Sequence, residues 1–233
     1  MYNYYYGVGS LFELLLLIIG SIVVIWAEVK VKGAYSKYLK IKCNKNMAGC
    51  EVARKILDNA GLSNVHVVEV KGTLTDHYDP KQKVLRLSTD IFHGDSVAAI
   101  SVAAHECGHA IQDKDNYKFM RIRSNLVPTV NLVNKFGMFA TIIGLIFGLF
   151  DIAICGVFIL LVTLAFQLVT LPVEFDASNR AKKIIAELNL ASESEQEGVE
   201  KMLSAAAFTY VASVINTFLQ LIQLLMRANR DRD

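Results

Sequence analysis

Two long blocks of apolar residues restrict this chain to folds that a membrane allows. Residues 8 to 27 contain one charged residue, Glu13, and match the ~20 residues that a helix needs to cross a bilayer. Residues 129 to 171 are interrupted by charge at only two positions, and they are long enough for two crossings. We therefore predict an α-helical membrane protein in which residues 1 to 27 form an anchor and residues 129 to 171 form a helical hairpin that turns at Asp151.

A third apolar stretch lies near the C-terminus and carries a polar stripe. The residues of the stripe recur at helical spacings of four and three: Thr209, Ser213, Asn216, Gln220 and Gln223. Polar side chains inside a membrane need hydrogen-bond partners, so the stripe is predicted to face other helices or a water-filled cavity. An amphipathic helix on the membrane surface is the alternative. We predict that the C-terminal helix, in residues 201 to 233, crosses the membrane, which gives three to four transmembrane helices.

The basic residues flank the apolar blocks on one side. Six lysines follow the first block between residues 30 and 45, two arginines precede the hairpin, and Arg180 follows it. Basic residues concentrate in cytoplasmic loops, so residues 28 to 128 are predicted to form a cytoplasmic domain and residues 172 to 200 to return to the same side. The formal net charge of +2 therefore concerns membrane topology, and no nucleic-acid partner is predicted.

Residues 105 to 109 read HECGH, within an alanine-rich segment that favours a helix. Positions i and i+4 lie on one face of a helix, so His105 and His109 can bind one Zn²⁺ ion. Glu106, beside the first histidine, can serve as a general base, and zinc lowers the pKa of water that it binds to roughly 7. Two histidines on a helix can also be structural, and a short motif can arise by chance. The pattern matches the zincin signature and predicts hydrolysis of peptide bonds by a metal-activated water.

A third ligand is predicted from the segment LPVEFDASNRA, which begins at Leu171. The hairpin returns the chain to the side that it left, so this segment faces the same compartment as HECGH. Glu174 is the predicted third ligand, on a helix that begins just after Pro172. Asp176 is the alternative ligand, and Glu174 can also be an acid placed at a helix N-terminus for the helix dipole. Three protein ligands leave the fourth position open, as in catalytic zinc sites.

Between the first apolar block and HECGH the sequence predicts a small α+β domain. MAGCEVARKILDNAGL has helical apolar spacing that ends at Gly61, and VHVVEV and KVLRLS are β-prone runs separated by the turn-rich LTDHYDP. We expect the two runs to form a hairpin beside the metal helix, with residues 84 to 87 at a sheet edge that can hold an extended substrate. His77 and Tyr78 in the turn can stabilise an oxyanion, or they can simply satisfy the backbone of the turn.

Five motifs occur in order along the chain: LTDHYDP at 74 to 80, VLRLS at 84 to 88, HECGHAIQ from His105, LPVEFDAS from Leu171 and TYVA at 209 to 212. Together they resemble the membrane-bound neutral zinc metallopeptidases of the YugP-like family over nearly the whole chain. The resemblance implies a zincin-like domain that acts on a protein or peptide substrate. EFDAS is also similar to the glutamate-ligand motif of the membrane CAAX-prenyl and heat-shock endopeptidases, which implies Glu174 as a ligand. Those enzymes usually carry an Asp where this chain has Ser178, and Asp176 is the candidate for its supporting role.

Three functions fit these features. The leading one is a membrane-anchored, zinc-dependent endopeptidase, a multi-pass protein of the cell membrane with its catalytic domain on the cytoplasmic side. Its predicted metal ligands are His105, His109 and Glu174, and its predicted catalytic residues are Glu106 and His77. One alternative is a membrane scaffold with a structural or vestigial zinc site, which has no need of Glu106. The other is a site-2-type intramembrane protease, although only the short VAAISVAA precedes His105 and the polar QDKDNY follows HECGHAI.

Overall fold

The fold is described by a computed structural model that covers residues 11–147 and 152–230. Within those residues it contains seven α-helices and one three-stranded sheet. In chain order the elements are α1 (Leu11–Tyr38), α2 (Gly49–Asn59), β1 (His66–Val70), β2 (His77–Asp79), β3 (Val84–Ser88), α3 (Thr89–His93), α4 (Val97–Lys114), α5 (Lys118–Phe147), α6 (Ile152–Glu187) and α7 (Glu193–Arg230). Asp151, the predicted tip of the hairpin, lies outside the described residues.

Three of the described helices are long and apolar enough to cross a membrane. The three stretches are Leu11–Tyr38 in α1, Gly156–Glu187 in α6 and Glu193–Met226 in α7. The protein is therefore mostly helical, with three candidate membrane spans and a small sheet. The helix that carries HECGH, α4, is not one of the candidate spans among the described residues.

The three candidate spans pack side by side and extend to the same side of the small domain. α1 and α7 are antiparallel, and three pairs define their register: Tyr38 with Gly198, Trp26 with Phe208, and Gly20 with Asn216. α6 is also antiparallel to α7, because Gly156 lies beside Leu224 whereas Ser178 shares a cavity wall with Leu203. The N-terminal parts of α1 and α6 and the C-terminal part of α7 therefore form one bundle. The assignment of the domain side to the cytoplasm stays a prediction.

The helices continue beyond the apolar blocks, so the predicted domain boundaries fall inside them. α1 runs past residue 27 to Tyr38, and α5 already begins at Lys118, ahead of residue 129. α6 continues through Pro172, so the prediction that a new helix begins there is wrong. Proline removes one backbone N–H, but a membrane helix tolerates this loss where neighbouring helices pack against it. α6 packs against α4, α5 and α7.

The sheet has the order β1-β3-β2, so β3 is its central strand. β1 pairs with β3 in parallel, and β2 pairs with β3 antiparallel. The predicted hairpin of VHVVEV and KVLRLS is therefore wrong, and residues 84 to 87 do not form a sheet edge. Leu85 and Leu87 of β3 are fully buried, which favours the central place for this apolar strand. The sheet edge that packs against α4 is β2, formed by residues that the sequence assigned to a turn.

α4 is the buried centre of the small domain. Ser96 caps its start, where the side-chain oxygen accepts a hydrogen bond from the backbone N–H of Ala99 at 3.1 Å. The small residues of α4 allow α2 and α6 to pack closely on two of its faces. Cys107 is buried on the α2 side, where its thiol donates to the carbonyl of Ala53 at 3.6 Å. Cys107 is therefore a packing residue.

The polar stripe of α7 lies at helix contacts and is only partly exposed. Thr209 and Ser213 donate to carbonyls of their own helix, at 2.7 and 2.9 Å. Asn216 faces Gly20 of α1, where a Cβ atom would lie 2.5 Å from the Asn216 side-chain oxygen. Four large apolar residues of this helix are exposed instead: Ile215, Phe218, Leu225 and Met226. These positions agree with the prediction that the stripe faces other helices.

Candidate metal centre

α4 and α6 bring three potential metal ligands into one cluster. Nε2 of His105 lies 3.2 Å from Oε2 of Glu174, and Nε2 of His109 lies 3.6 Å from the same oxygen. The three ligand atoms all lie within 4.8 Å of one another. Two ligands ~2.1 Å from a tetrahedral zinc ion are ~3.4 Å apart, so the spacing of the cluster fits zinc. The alternative ligand, Asp176, does not belong to this cluster of described residues.

Gly108 sets the distance between α4 and α6. A Cβ atom at this position would lie 2.7 Å from the carbonyl oxygen of Ala177, which is closer than real Cβ contacts. Gly108 precedes His109 directly, and Ala177 follows Glu174 by about one helical turn. The two backbones therefore touch at the level of the ligands, which allows the Glu174 side chain to reach both imidazoles.

Hydrogen bonds on the far side of each imidazole fix its orientation. Nδ1 of His105 lies 3.2 Å from Oγ of Ser178, and Nδ1 of His109 lies 3.0 Å from Oε1 of Gln112. When each Nδ1–H donates to these oxygens, each Nε2 keeps its lone pair for a metal. Gln112 is itself fixed, because its Nε2 donates to the carbonyl of Val173 on α6 at 2.8 Å.

Asp176 supports the cluster from behind Gln112. One of its oxygens accepts from Nε2 of Gln112 at 2.8 Å and from Nε of Arg180 at 2.6 Å. Asp176 therefore orients His109 through Gln112, whereas Ser178 supports the other histidine directly. The supporting role that the resemblance implies for Asp176 is thus divided between the two residues.

Arg123 of α5 pairs with the oxygen of Glu174 that faces away from the histidines. Its guanidinium lies 3.3 Å from Oε1 of Glu174. Oε2 faces His105 and His109. The carboxylate is therefore divided, with one oxygen available to a metal and the other bound to a fixed positive charge.

Glu106 lies beside the cluster and has only 7% of its surface exposed. Its carboxylate accepts a hydrogen bond from the backbone N–H of Tyr78 on β2. Burial raises the pKa of Glu106 from its ordinary value of 4.5 to about 7, and the Glu174 carboxylate acts in the same direction, against the opposing effect of His105. A carboxyl group with a pKa near neutrality can take up and release a proton at cellular pH.

A cavity of about 290 Å³ adjoins the cluster and is lined by residues of α1, α4, α6 and α7. Val31 of α1, Glu106 of α4, Glu174 of α6 and Tyr210 of α7 line its wall. The side chain of Tyr210 lies beside Glu174 in this wall. The cavity therefore combines a candidate metal cluster, a carboxyl group that can accept a proton, and a neutral O–H donor.

His77 does not line this cavity. Its side chain is exposed, and its Nδ1 lies 2.8 Å from the carbonyl oxygen of Thr75. His77 lines a separate cavity of about 270 Å³, together with Arg123. The side chain of Tyr78 also points elsewhere, because its hydroxyl donates to Asp113 at 2.8 Å. Of these two predicted residues, only the backbone N–H of Tyr78 contacts the site.

The chain matches the model of the family described as "Putative neutral zinc metallopeptidase" over residues 13–229. The chain belongs to this family. It is also similar to the "Putative membrane protease YugP" of Bacillus subtilis (strain 168), with 42% identity over 208 residues, which are 89% of this chain and 92% of the relative. The resemblance to the YugP-like family is thereby confirmed. No solved structure matches the chain.

Besides Arg123, which pairs with Glu174, three residues around the candidate zinc cluster of this zinc metallopeptidase family member were missed by sequence reasoning or were given no direct contact with it. They are Gln112, Ser178 and Tyr210. Each lies in a motif that carries the family resemblance: Gln112 ends HECGHAIQ, Ser178 ends LPVEFDAS, and Tyr210 lies in TYVA. The motifs could therefore have marked these three residues as candidates for the site, although a motif does not show which atoms a side chain contacts.

Proposed function

We propose that this protein is a membrane-anchored zinc endopeptidase that hydrolyses peptide bonds at the membrane surface. The observation that carries the proposal is the buried carboxyl group of Glu106 in a cavity that is also lined by two of the three potential metal ligands, His105 and Glu174. A structural zinc site is closed by four protein ligands, and it needs neither a base nor a cavity. The scaffold alternative accounts for the ligands but gives Glu106 no role.

Glu106 is the proposed general base and the later proton donor. A zinc ion held by His105, His109 and Glu174 would polarise the substrate carbonyl and lower the pKa of water to about 7. Glu106 takes a proton from the attacking water and then delivers it to the leaving amine. The position of this one carboxyl group beside His105 and Glu174 in the cavity suits both steps, because the same group must accept the proton and then give it up.

We assign the oxyanion-stabilising role to Tyr210 and no longer to His77. Tyr210 lines the cavity beside Glu174, whereas His77 is exposed outside the cavity. The negative charge that develops on the substrate carbonyl oxygen is stabilised by a neutral donor already in position. In this proposal α7, a candidate membrane span, completes the catalytic site.

The outer edge of β2 is the proposed binding strand for an extended substrate. In the part of the chain that the structure describes, β2 has a strand partner on one side only. The backbone N–H of Tyr78 points from this strand to the Glu106 carboxylate. A peptide that adds to the outer edge would therefore pass the general base, and main-chain pairing makes its recognition depend little on side chains.

The depth of the cavity along the helix bundle supports a site at the membrane surface. Val31 lines the cavity, and next to it Lys30 lies 5.2 Å from the ring centroids of both Trp26 and Phe208. Tryptophan and lysine are typical of the membrane interface. Beyond this level α1 continues towards Leu11, so the apolar parts of the candidate spans extend away from the metal cluster. The intramembrane alternative requires the metal helix to span the membrane, and α4 is not a candidate span.

The first experiment compares zinc content and cleavage of unfolded casein in detergent-purified wild type, Glu106→Gln, Glu174→Ala and His77→Ala. Wild type is expected to bind one zinc ion and to cleave casein. Glu106→Gln should retain zinc and lose about 10²- to 10⁴-fold in rate. Glu174→Ala should lose zinc. His77→Ala is the matched control and should retain both properties.

Two outcomes would overturn the proposal. Zinc bound equally by all four proteins, with no cleavage by wild type, would favour the scaffold. Full activity in Glu106→Gln would show that Glu106 is not the general base, and the proposed mechanism would then be wrong.

A further inference from the structure

Beyond its catalytic groups, the cavity has an apolar wall formed by α4 and α7. Val102 of α4 and Met202, Leu203, Ala206 and Ala207 of α7 line it. Val102 precedes Glu106 by four residues, and Ala206 precedes Tyr210 by four residues. Residues four apart on a helix are neighbours on one face, with Cβ atoms about 5 to 6 Å apart. The apolar wall therefore lies about one helical turn from both proposed catalytic groups.

A second space of about 150 Å³ lies next to the cavity, between α6 and α7. The two spaces share Ser178, Leu203 and Ala207 as wall residues. Phe175 and Val211 add apolar surface to the second space. An apolar cavity of about 150 Å³ is large enough to bind benzene, so the first cavity, of about 290 Å³, can hold a side chain as large as that of leucine or phenylalanine.

The polar groups of the first cavity offer little to a charged side chain. Among the described residues, no lysine or arginine lines it, so an acidic side chain would find no basic partner there. Asp76 is engaged by Ser88, whose backbone N–H and hydroxyl donate to it at 2.7 and 3.0 Å. A charge buried without a partner is unfavourable. Among the described residues, the one cation that lines the second space is Lys182, about two helical turns from the apolar residue Phe175 on α6.

We propose that this wall is a specificity site that binds an apolar side chain, of leucine or phenylalanine size, on the substrate residue next to the scissile bond. The inference rests on the proposed peptidase function and deepens it. Main-chain pairing along β2 holds the substrate without regard to its sequence, and the apolar wall then selects which bond reaches Glu106.

The test uses amino-acid hydroxamates, whose hydroxamate group binds zinc while the side chain probes the wall. Binding to the zinc-loaded, detergent-purified full chain is measured by calorimetry for the leucine, phenylalanine, glycine, lysine and aspartate compounds. We expect the leucine and phenylalanine compounds to bind at least about tenfold more tightly than the other three, since one methylene group in an apolar pocket already changes discrimination by 10- to 200-fold. Equal binding of the glycine compound, tighter binding of the lysine or aspartate compound, or no binding at all would overturn the proposal.

Substitutions in the apolar wall test whether this wall causes the preference for apolar side chains. Ala206→Leu fills the part of the cavity beside the wall. The variant should therefore lose most of its preference for the leucine compound over the glycine compound. Val102→Ala enlarges the cavity and should make the phenylalanine compound bind more tightly than the leucine compound. Ala165→Leu makes the same size change as the first variant at an exposed position of α6 and should change nothing. A preference unaltered in both wall variants would place the apolar site elsewhere.

Casein cleavage on the same preparations separates the two proposals. Cleavage of casein together with equal binding of the five hydroxamates would support the proposed peptidase function and overturn the specificity site. Preferential binding of the leucine compound without cleavage of casein would support the apolar site and overturn the proposed peptidase function.

Discussion

Ser178 orients His105 through a single hydrogen bond. Removal of the Ser178 hydroxyl therefore measures how much zinc binding depends on this bond. Oγ of Ser178 lies 3.2 Å from Nδ1 of His105, and such partners of metal-binding histidines typically contribute 10- to 100-fold in metal affinity. We expect Ser178→Ala to weaken zinc binding by about 10- to 100-fold in competition with a chromophoric chelator. Ser213→Ala is the control, because that hydroxyl donates to the carbonyl of Thr209 on its own helix. Equal affinities in the two variants would count against the assignment.

Tyr210→Phe removes the proposed oxyanion donor without changing the shape of the side chain. We expect the cleavage rate to fall by about 10²- to 10³-fold, as for the loss of one oxyanion-hole donor, whereas zinc content should not change. The measurement is kcat on a fluorogenic peptide, with zinc determined on the same sample. Tyr117→Phe is the matched control, since that ring lies against Arg180 outside the cavity. An unchanged kcat in Tyr210→Phe would return the oxyanion role to another residue.

Residues whose roles follow from helical geometry alone could be predicted from the sequence. His105 and His109 share one face of any helix that contains them, so their common ligand role needs no knowledge of the remaining fold. Glu174 required one further step, the return of the chain after the hairpin. The contacts of Gln112 and Tyr210 could not be predicted, because they exist only where α4 and α7 pack against α6.

At the scale of elements, the close contact of α4 and α6 is the feature most sensitive to one added methyl group. A Cβ atom at Gly108 would lie 2.7 Å from the carbonyl oxygen of Ala177, whereas a Cβ atom at Gly33 would meet nothing within 4 Å. We expect Gly108→Ala to cost about 1 to 3 kcal/mol and to reduce zinc affinity, because the helices must separate. Gly33→Ala should stabilise its helix by about 0.5 to 1 kcal/mol. Thermal unfolding midpoints and zinc titrations of both variants decide the matter, and a neutral Gly108→Ala would show that the contact is not needed.

The elements that sequence reasoning placed wrongly are those that tertiary packing decides. Pro172 predicted a helix start, but α6 continues through it because other helices pack against its flanks. The polar residues 77 to 79 read as a turn, yet they pair with β3 and take the edge of the sheet. The apolar run that was expected at the edge lies in the centre, since Leu85 and Leu87 need burial on the domain core.

At the scale of the whole molecule, the single tryptophan of the chain reports the depth of the catalytic cavity. Trp26 packs on Phe208 with ring centroids 5.0 Å apart, directly beside the cavity wall residue Ala207. In vesicles, we expect its fluorescence to be quenched more by lipids brominated near the headgroup than by lipids brominated deep in the acyl chain, because tryptophan favours the interface. Stronger quenching by the deep bromines would place the cavity inside the hydrocarbon layer and would favour an intramembrane protease.

The apolar blocks of the sequence predicted membrane spans, but they did not predict where along the spans the site lies. That position depends on the register of α1 against α7, which the pairs Tyr38 with Gly198 and Gly20 with Asn216 define. Register is set by side-chain fit between helices that are far apart in the chain, and hydropathy contains no information about it.

The proposed third ligand is also the last one to be synthesised. Glu174 follows His105 by 69 residues, so a ribosome that adds about 5 to 20 residues per second leaves the histidines without it for about 3 to 14 s. During this interval the nascent chain holds two imidazoles and a base but no complete ligand set. Both α5 and most of α6 must be made before Glu174 can return to α4. The proposed peptidase therefore becomes competent only after the segments that anchor it have been made, and an unfinished chain released by a stalled ribosome carries no activity into the cell.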